Sequence, residues 1–367
     1  MPKEKTTKEV KEVKRVKRVT LLLWHQRLGH ISEKATRFLL KDIYRDELAP
    51  NHPIGALEEH FTKCEPCIKA SLTNKVNKES RNSLREYHYL EKVTSDVCSS
   101  IKPKTYNGYR YFVTFLDKAT RHIEAKLLRT KDEVYEAFIE FKARAENNPD
   151  KYKIRIFATD NGGEYVNSRF QKLFKEAGIT YQIVPAYIKE PNGLIERPNR
   201  TLMTKVRALL FQANMPNYLW GEALLAAVFL YYRTPHSALK GKTPYEIKTG
   251  IKPDISMIRV FGSITYYKVK GLESHSKLKA RANKAVLIGY TDNAEVYKLW
   301  DIELRKVVYS RDVEILEGVF HPFGRNSTIL EELEDEPLQV SESEEEPEES
   351  KANKSYRSEF DPKAISQ

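Results

Sequence analysis

Cysteine is nearly absent: Cys64, Cys67 and Cys98 are the only three in 367 residues. Three unevenly spaced thiols cannot build the disulfide framework of a small secreted scaffold, so a metal role suits the close pair Cys64 and Cys67 better. Long apolar runs are lacking too. No stretch reaches the roughly 18 uninterrupted apolar residues of a membrane-spanning helix, and the N-terminus is charged where a signal peptide would be apolar. The sequence therefore predicts a soluble, intracellular chain with no membrane partner. It has no repeat of solenoid length, and its size suggests two or three domains.

Positive charge is what the chain has in excess. The net +11 conceals an asymmetry, because residues 321–367 carry 13 acids against 5 bases, a net −8 that leaves +19 on residues 1–320. A body so basic favours a polyanionic partner, and nucleic acid is the commonest one. The run KRVKR in the first twenty residues suits a nuclear address or a phosphate contact, and equally a solvated charged arm.

Composition and periodicity divide the chain. A basic flexible arm (1–20) precedes a His- and Cys-rich module (21–72) and a polar linker (73–89). A larger domain (90–250) follows, with strands expected near 93–98, 109–117, 122–128, 154–160 and 179–185. Its helices are expected over 131–146, 168–177, 197–212 and 219–232. Three strands followed by alternating helix and strand predict an α/β domain with a mixed sheet flanked by helices. Residues 251–320 change to short β-type runs such as SITYYKV, KAVLIGY, YKLWD and KVVYS, which suggests a small β-rich module, barrel-like in pattern. The acidic tail (321–367) has the composition of disorder.

Two constellations carry chemistry. His25, His30, Cys64 and Cys67 form H-x4-H, then 33 residues, then C-x2-C. Two imidazoles and two thiolates suit a closed tetrahedral zinc site, one ion per chain. On a continuous helix His25 and His30 would point about 140° apart, so Gly29 is expected to break the helix in a left-handed conformation and bring His30 back. His52 and His60 are competing ligands. The second constellation is Asp96, Asp160 and Glu196: one acid in the first predicted strand, one ending a later strand before Asn161-Gly162-Gly163, one opening a helix after Asn192-Gly193. Three such carboxylates suit hard, oxygen-preferring ions, and two Mg2+ or Mn2+ ions about 4 Å apart would clamp an in-line displacement at phosphorus. Asp117, Glu124 and Glu164 are rival acids, with Asp117 reading as a turn former. Cys98 reads as a small core residue and the apolar helix ending at Tyr232 as core or subunit interface. Around Glu196, Lys189, Asn192, Arg197, Arg200 and Lys205 are candidate nucleic-acid contacts.

Exactly 35 residues separate Asp160 from Glu196. That spacing resembles the D,D-35-E signature of retroviral and retrotransposon integrases. ATDNGGEY and NGLIERPNRTL look like its copia-type (Pseudoviridae) branch, and WHQRLGHIS with CEPCIKA resembles the zinc module that precedes its core. GKTPYE, VFGSITYY and KAVLIGY through VVYSRDV resemble the segment that follows. Several motifs in the family's order, over about residues 24–315, are far more specific than one spacing.

The resemblance implies an RNase H-like core in which Asp96, Asp160 and Glu196 bind the catalytic metals, trim the 3' ends of element DNA and join them to target DNA. It also implies a homo-oligomer that acts in the nucleus after synthesis and particle assembly in the cytoplasm. RNA is a further candidate ligand, and the acidic tail a candidate chromatin tether. Two features point the other way: the chain has no visible protease or reverse-transcriptase signature, and Pro198 stands where a helix should be running. The alternatives are thus a degenerate, inactive nucleic-acid-binding relic, or a different RNase H-like nuclease.

Overall fold

The computed structural model describes residues 21–43, 64–71, 87–159, 162–183, 198–269, 279–291 and 296–323. The expectations for the arm, most of the linker and nearly all of the acidic tail fall outside these residues. So do those for His52, His60, Asp160, Lys189, Asn192, Glu196 and Arg197.

Three short helices open the described chain: α1 (Leu21–Arg27), α2 (Glu33–Ile43) and α3 (Glu65–Ser71). The larger domain follows as β1 (Lys92–Cys98), β2 (Tyr111–Asp117), β3 (Ile123–Leu128), α4 (Val134–Glu146), β4 (Ile156–Thr159), α5 (Ser168–Ala177), β5 (Thr180–Ile183), α6 (Pro198–Ala213) and α7 (Trp220–Tyr232). Its sheet runs β3-β2-β1-β4-β5, the first three strands antiparallel and β4 and β5 parallel to β1. This is the mixed sheet expected from the strand and helix order.

The period of two along β2 sorts the core into two faces. Val113 and Phe115 pack with Phe138 and Phe141 of α4 and with Phe157, Phe170 and Phe174. Phe112 and Leu116 point the other way, into a cluster with Leu202, Val206 and Leu209 of α6 and Ala223, Leu224 and Ala227 of α7. Because both faces are covered, six of the seven residues of β2 are buried, which explains its near-continuous apolar sequence. α5 is capped by Asn167, whose side chain accepts from Phe170 N, and it ends at Gly178 with φ +65°.

After the short α8 (Pro244–Thr249), a second sheet forms from β6 (Ser263–Lys268), β7 (Ala282–Tyr290), β8 (Tyr297–Asp301), β9 (Lys306–Ser310) and β10 (Val313–Phe320). It is antiparallel, in the order β10-β6-β7-β8-β9. This is the β-rich module expected from the sequence: β10 returns to pair with β6, and among the described residues no β9–β10 pairing is present.

α7 lies between the two sheets. Val286, Ile288 and Trp300 of the second sheet belong to the same cluster as Phe112 and Ala223. An apolar helix with two sheets to satisfy is buried on most sides, so this helix is core. One polar link crosses the layer: Glu222, 5% exposed, takes a hydrogen bond from Tyr106 Oη at 2.9 Å and an ion pair from Lys298 Nζ at 2.5 Å. No helix among the described residues is long and apolar enough to cross a membrane.

Candidate functional site

His25 lies in α1 and His30 just beyond it. Leu28 N and Gly29 N bond to Trp24 O and Gln26 O, and His30 N reaches His25 O at 2.8 Å. Gly29 (φ +65°) and His30 (φ +60°) are both left-handed. That turn ends the helix and folds His30 back beside His25, with ring centroids 4.9 Å apart. Glycine is needed for space as well, since a Cβ on Gly29 would lie 2.8 Å from Leu230 Cδ1 of α7.

Cys64 and Cys67 come from the start of α3. The four candidate ligand atoms all lie within 4.8 Å of one another. His25 Nε2 is 3.2 Å from His30 Nδ1 and 3.3 Å from Cys67 Sγ, while His30 Nδ1 is 3.4 Å from Cys64 Sγ and 3.5 Å from Cys67 Sγ. A tetrahedral zinc with Zn–N of about 2.05 Å and Zn–S of about 2.3 Å has N–N and N–S edges of roughly 3.3 and 3.6 Å. The observed edges are close to these. His25 Nδ1 bonds to Ile31 O at 2.7 Å, which holds the proton on Nδ1 and leaves the Nε2 lone pair facing the group. The residues present therefore fit a metal ion of the zinc type.

Without an ion, burial dominates the electrostatics. It lowers His25, and together with His25 it pushes His30 down to about 3. Burial and the neighbouring Cys64 push Cys67 up to about 12. A bound dication reverses the logic for the thiols, because coordination deprotonates them.

α6 supplies the surroundings of this group. Lys205 donates to Gly29 O at 3.3 Å and Arg207 donates to Ala70 O at 3.2 Å. Burial pushes Lys205 down to about 8, while the Cys67 thiolate favours its charged form. Lys205, a candidate nucleic-acid contact by sequence, is half-buried, with its ammonium turned toward the His/Cys group. Arg200, on the same helix, is exposed.

Asp96 lies on the central strand β1, directly opposite Thr114 of β2. Cross-strand partners share a face, so Asp96 is on the α6 side of the sheet. There Asn199 of α6, three residues after Glu196 in the chain, donates through Nδ2 to Asp96 O at 3.3 Å and accepts from Thr114 Oγ1 at 2.7 Å. On the other side of β1, the parallel register pairs Thr94 with Ala158, which sets Ser95 level with Thr159 at the end of β4. The next residue in sequence after Thr159 is Asp160. The rival acids are engaged elsewhere. Asp117 accepts from Leu90 N, Thr120 N and Thr120 Oγ1 in a turn, and Glu124 pairs with Arg144 at 3.0 Å. Glu164 lies 3.9 Å from Lys131. Cys98 packs against the apolar cluster below Asp96, and burial with the Asp96 charge pushes its thiol up to about 11.

Sequence reasoning missed Asn199 and Gln212. Asn199 stands inside the quoted word NGLIERPNRTL, but nothing local marks it as a link to a strand a hundred residues earlier. Gln212 reads as an ordinary helix surface residue, yet it is 8% exposed.

A mixed five-stranded sheet with a carboxylate on its central strand, a helix clamped to that strand, and a His/Cys group docked behind the helix define an integrase-core protein. The chain matches the integrase core domain over residues 87–187, the GAG-pre-integrase domain over 4–71 and the retroviral polymerase SH3-like domain over 263–329. It is 33% identical over 300 residues to the retrovirus-related Pol polyprotein from transposon TNT 1-94 of Nicotiana tabacum, covering 82% of this chain and 22% of that protein. It is 31% identical to the Pol polyprotein from transposon RE1 of Arabidopsis thaliana, covering 87% of this chain and 21% of that one. The simian T-cell lymphotropic virus intasome in complex with PP2A regulatory subunit B56 gamma aligns at 15% identity and a TM-score of 0.35, over 63% of this chain and 83% of that chain. The chain belongs to the integrase segment of copia-type retrotransposon Pol polyproteins, and it spans about a fifth of the length of the curated relatives it matches.

Proposed function

We propose that this chain is a working retrotransposon integrase, which trims the 3' ends of element DNA and joins them to target DNA. The observation that carries this is the clamp between β1 and α6. It ties the strand bearing Asp96 to the helix that follows Glu196, while β4, which leads into Asp160, lies alongside β1. Asp96, Asp160 and Glu196 are the residues that would hold two Mg2+ or Mn2+ ions. Such ions would supply charge neutralisation at the reacting phosphate and activation of the attacking oxygen. The sheet and the Asn199 link to α6 fix the strand that carries Asp96, so little reorganisation of that strand is needed when DNA binds.

The reaction balances without a covalent enzyme intermediate. In end trimming, water attacks a phosphodiester, one P–O bond forms as another breaks, and a 3'-hydroxyl is left. In joining, that hydroxyl attacks a target phosphodiester and displaces a target 3'-oxygen. Lys189, Asn192, Arg197 and exposed Arg200 are the proposed phosphate contacts near the carboxylates. His25, His30, Cys64 and Cys67 would hold one structural zinc. Two element ends and two target strands call for a homo-oligomer, and the product calls for action in the nucleus after synthesis in the cytoplasm. RNA binding and a chromatin tether through the acidic tail rest on charge alone. Nothing in the fold or the relatives favours the inactive relic.

The test is strand transfer by the purified chain on defined duplex ends with Mg2+ or Mn2+. Asp160→Asn should abolish trimming and joining together and leave non-specific DNA binding intact. Retention of more than about a tenth of the joining rate by this variant would overturn the carboxylate assignment.

A further inference from the structure

Gln212 is an unusual residue to find buried next to a metal-type group. Its side chain is 8% exposed, yet neither Nε2 nor Oε1 has a hydrogen-bond partner. The same is true of His30 Nε2, the ring nitrogen on the far side from the Cys64 and Cys67 sulfurs. The amide neighbours the His30 ring but stops short of a full hydrogen bond with it. A buried amide left unpaired forfeits its hydration without return, so two adjacent orphans call for a state in which they meet. A histidine that ligates through Nδ1 presents Nε2–H as a donor, and metal-bound histidines almost always give that proton to an oxygen acceptor. Gln212 Oε1 is the acceptor at hand.

Lys205 stands on the same side of α6. Seven residues are nearly two helical turns, so positions 205 and 212 are offset by only about 20° around the axis. Its ammonium holds Gly29 O, in the turn between the two histidines, and interacts electrostatically with Cys67. Between them, the two side chains reach both histidine-bearing and cysteine-bearing halves of the group.

We propose that Gln212 and Lys205 are outer-sphere positioning residues of the zinc centre, Gln212 orienting His30 and Lys205 offsetting thiolate charge at Cys67, so that ion occupancy is coupled to the seating of α6. The helix thereby senses the metal at one end and is bonded through Asn199 to the strand of Asp96 at the other. The inference rests on the zinc reading of His25, His30, Cys64 and Cys67.

The test uses the full chain and two readouts. The first is zinc affinity by competition with a chromophoric chelator, with the cobalt(II) d–d spectrum of the substituted protein recorded alongside. Gln212→Leu and Lys205→Met should each weaken binding on the order of ten- to a hundredfold, the loss typical of outer-shell partners, and shift the cobalt bands. Gln212→Glu, which keeps the acceptor, should restore most of the affinity, and Phe211→Ala, an exposed neighbour, should leave it unchanged. The second readout needs no variant: hydrogen exchange of the α6 amides should be slower in zinc-loaded than in chelator-treated wild type. A wild-type chain that binds no zinc would sink the zinc reading itself. A chain that binds one zinc while α6 exchanges equally with and without it, or while Gln212→Leu and Lys205→Met bind within twofold of wild type, would overturn the coupling alone.

Discussion

Asn199 Nδ2 donates to the backbone carbonyl of Asp96 at 3.3 Å, and its Oδ1 takes the hydroxyl of Thr114 at 2.7 Å. One buried amide thus fixes the helix that follows Glu196 to the two central strands of the sheet. The bond is to the backbone of Asp96, so it sets where the carboxylate is carried without competing for its oxygens.

Asn199→Ala should therefore cost both stability and rate. Removing the amide strands the Thr114 hydroxyl and the Asp96 carbonyl in a buried layer, although these two can fall back on their own 3.4 Å contact. A loss of about 1–3 kcal/mol, toward the lower end, is expected in urea unfolding. Strand transfer should drop more than stability explains, on the order of ten- to a hundredfold, because a shift of about 1 Å in a catalytic group is enough for that. Unchanged joining by a destabilised variant would show that the clamp supports the fold and not the site.

Gly29→Ala tests the turn that assembles the His/Cys group. An alanine there must hold φ near +65° and place its Cβ 2.8 Å from Leu230 Cδ1. The left-handed conformation alone costs roughly 1–2 kcal/mol for a residue with a Cβ. Unfolding midpoints should fall. Because Leu230 is fully buried and costly to truncate by itself, a double-mutant cycle with Leu230→Ala should show a combined loss smaller than the sum of the two single losses by the steric part alone. A single variant as stable as wild type would mean that the turn is not held as described.

Much of this was legible in the sequence, and the reasons differ from element to element. β2 could be read from its apolar run because both faces of the strand are covered, and α5 from Asn167 and Gly178 at its ends. β10 was not recognised as a strand. It alternates half-buried and exposed residues, carries Glu314, Glu317 and Gly318, and breaks register between Leu316 and Phe320, so no local pattern announces it. In the candidate site, the ligand types and their spacing could be read directly. The destination of Lys205 could not, because a lysine after ERPNR looks like a phosphate contact until one knows which module packs against its helix.

His122 should give the stability curve an acid slope. Its ring lies 4.5 Å from Tyr232, and Lys248 Nζ sits 3.3 Å from Nδ1. Burial, with the nearby Lys248 charge, depresses it to about 3, against about 6.5 in an unfolded chain. Below about 6.5 the unfolded chain binds a proton that the folded chain refuses, so this stabilisation is complete above that pH and is lost as pH falls toward 3. His122→Phe keeps the ring and removes the titration. Relative to wild type, the variant should unfold with a shallower pH dependence between about 6.5 and 4. Parallel curves for the two proteins would exclude His122 as a source of the slope.

The acidic end of the chain should weaken DNA binding by the basic body. Phe320 and Phe323 pack against the core cluster, so a deletion that begins at 321 would also strip core contacts. Cutting after Arg325 avoids this and removes 13 acids and 4 bases, which raises the net charge of the remainder from +11 to +20. If DNA is held mainly through phosphates, the logarithm of the shortened chain's affinity should fall with the logarithm of salt by about 0.9 per phosphate neutralised, and that of the full chain more gently. An acidic segment tethered to a basic body competes with DNA at a high effective concentration, and salt screens that competition as it screens binding. The shortened chain should therefore bind more tightly, with the gain largest at low salt and shrinking as salt rises. Filter or fluorescence titrations at several salt concentrations measure this directly. A shortened chain that binds more weakly at every salt concentration would assign residues 326–367 to the DNA-binding surface itself, in spite of their charge.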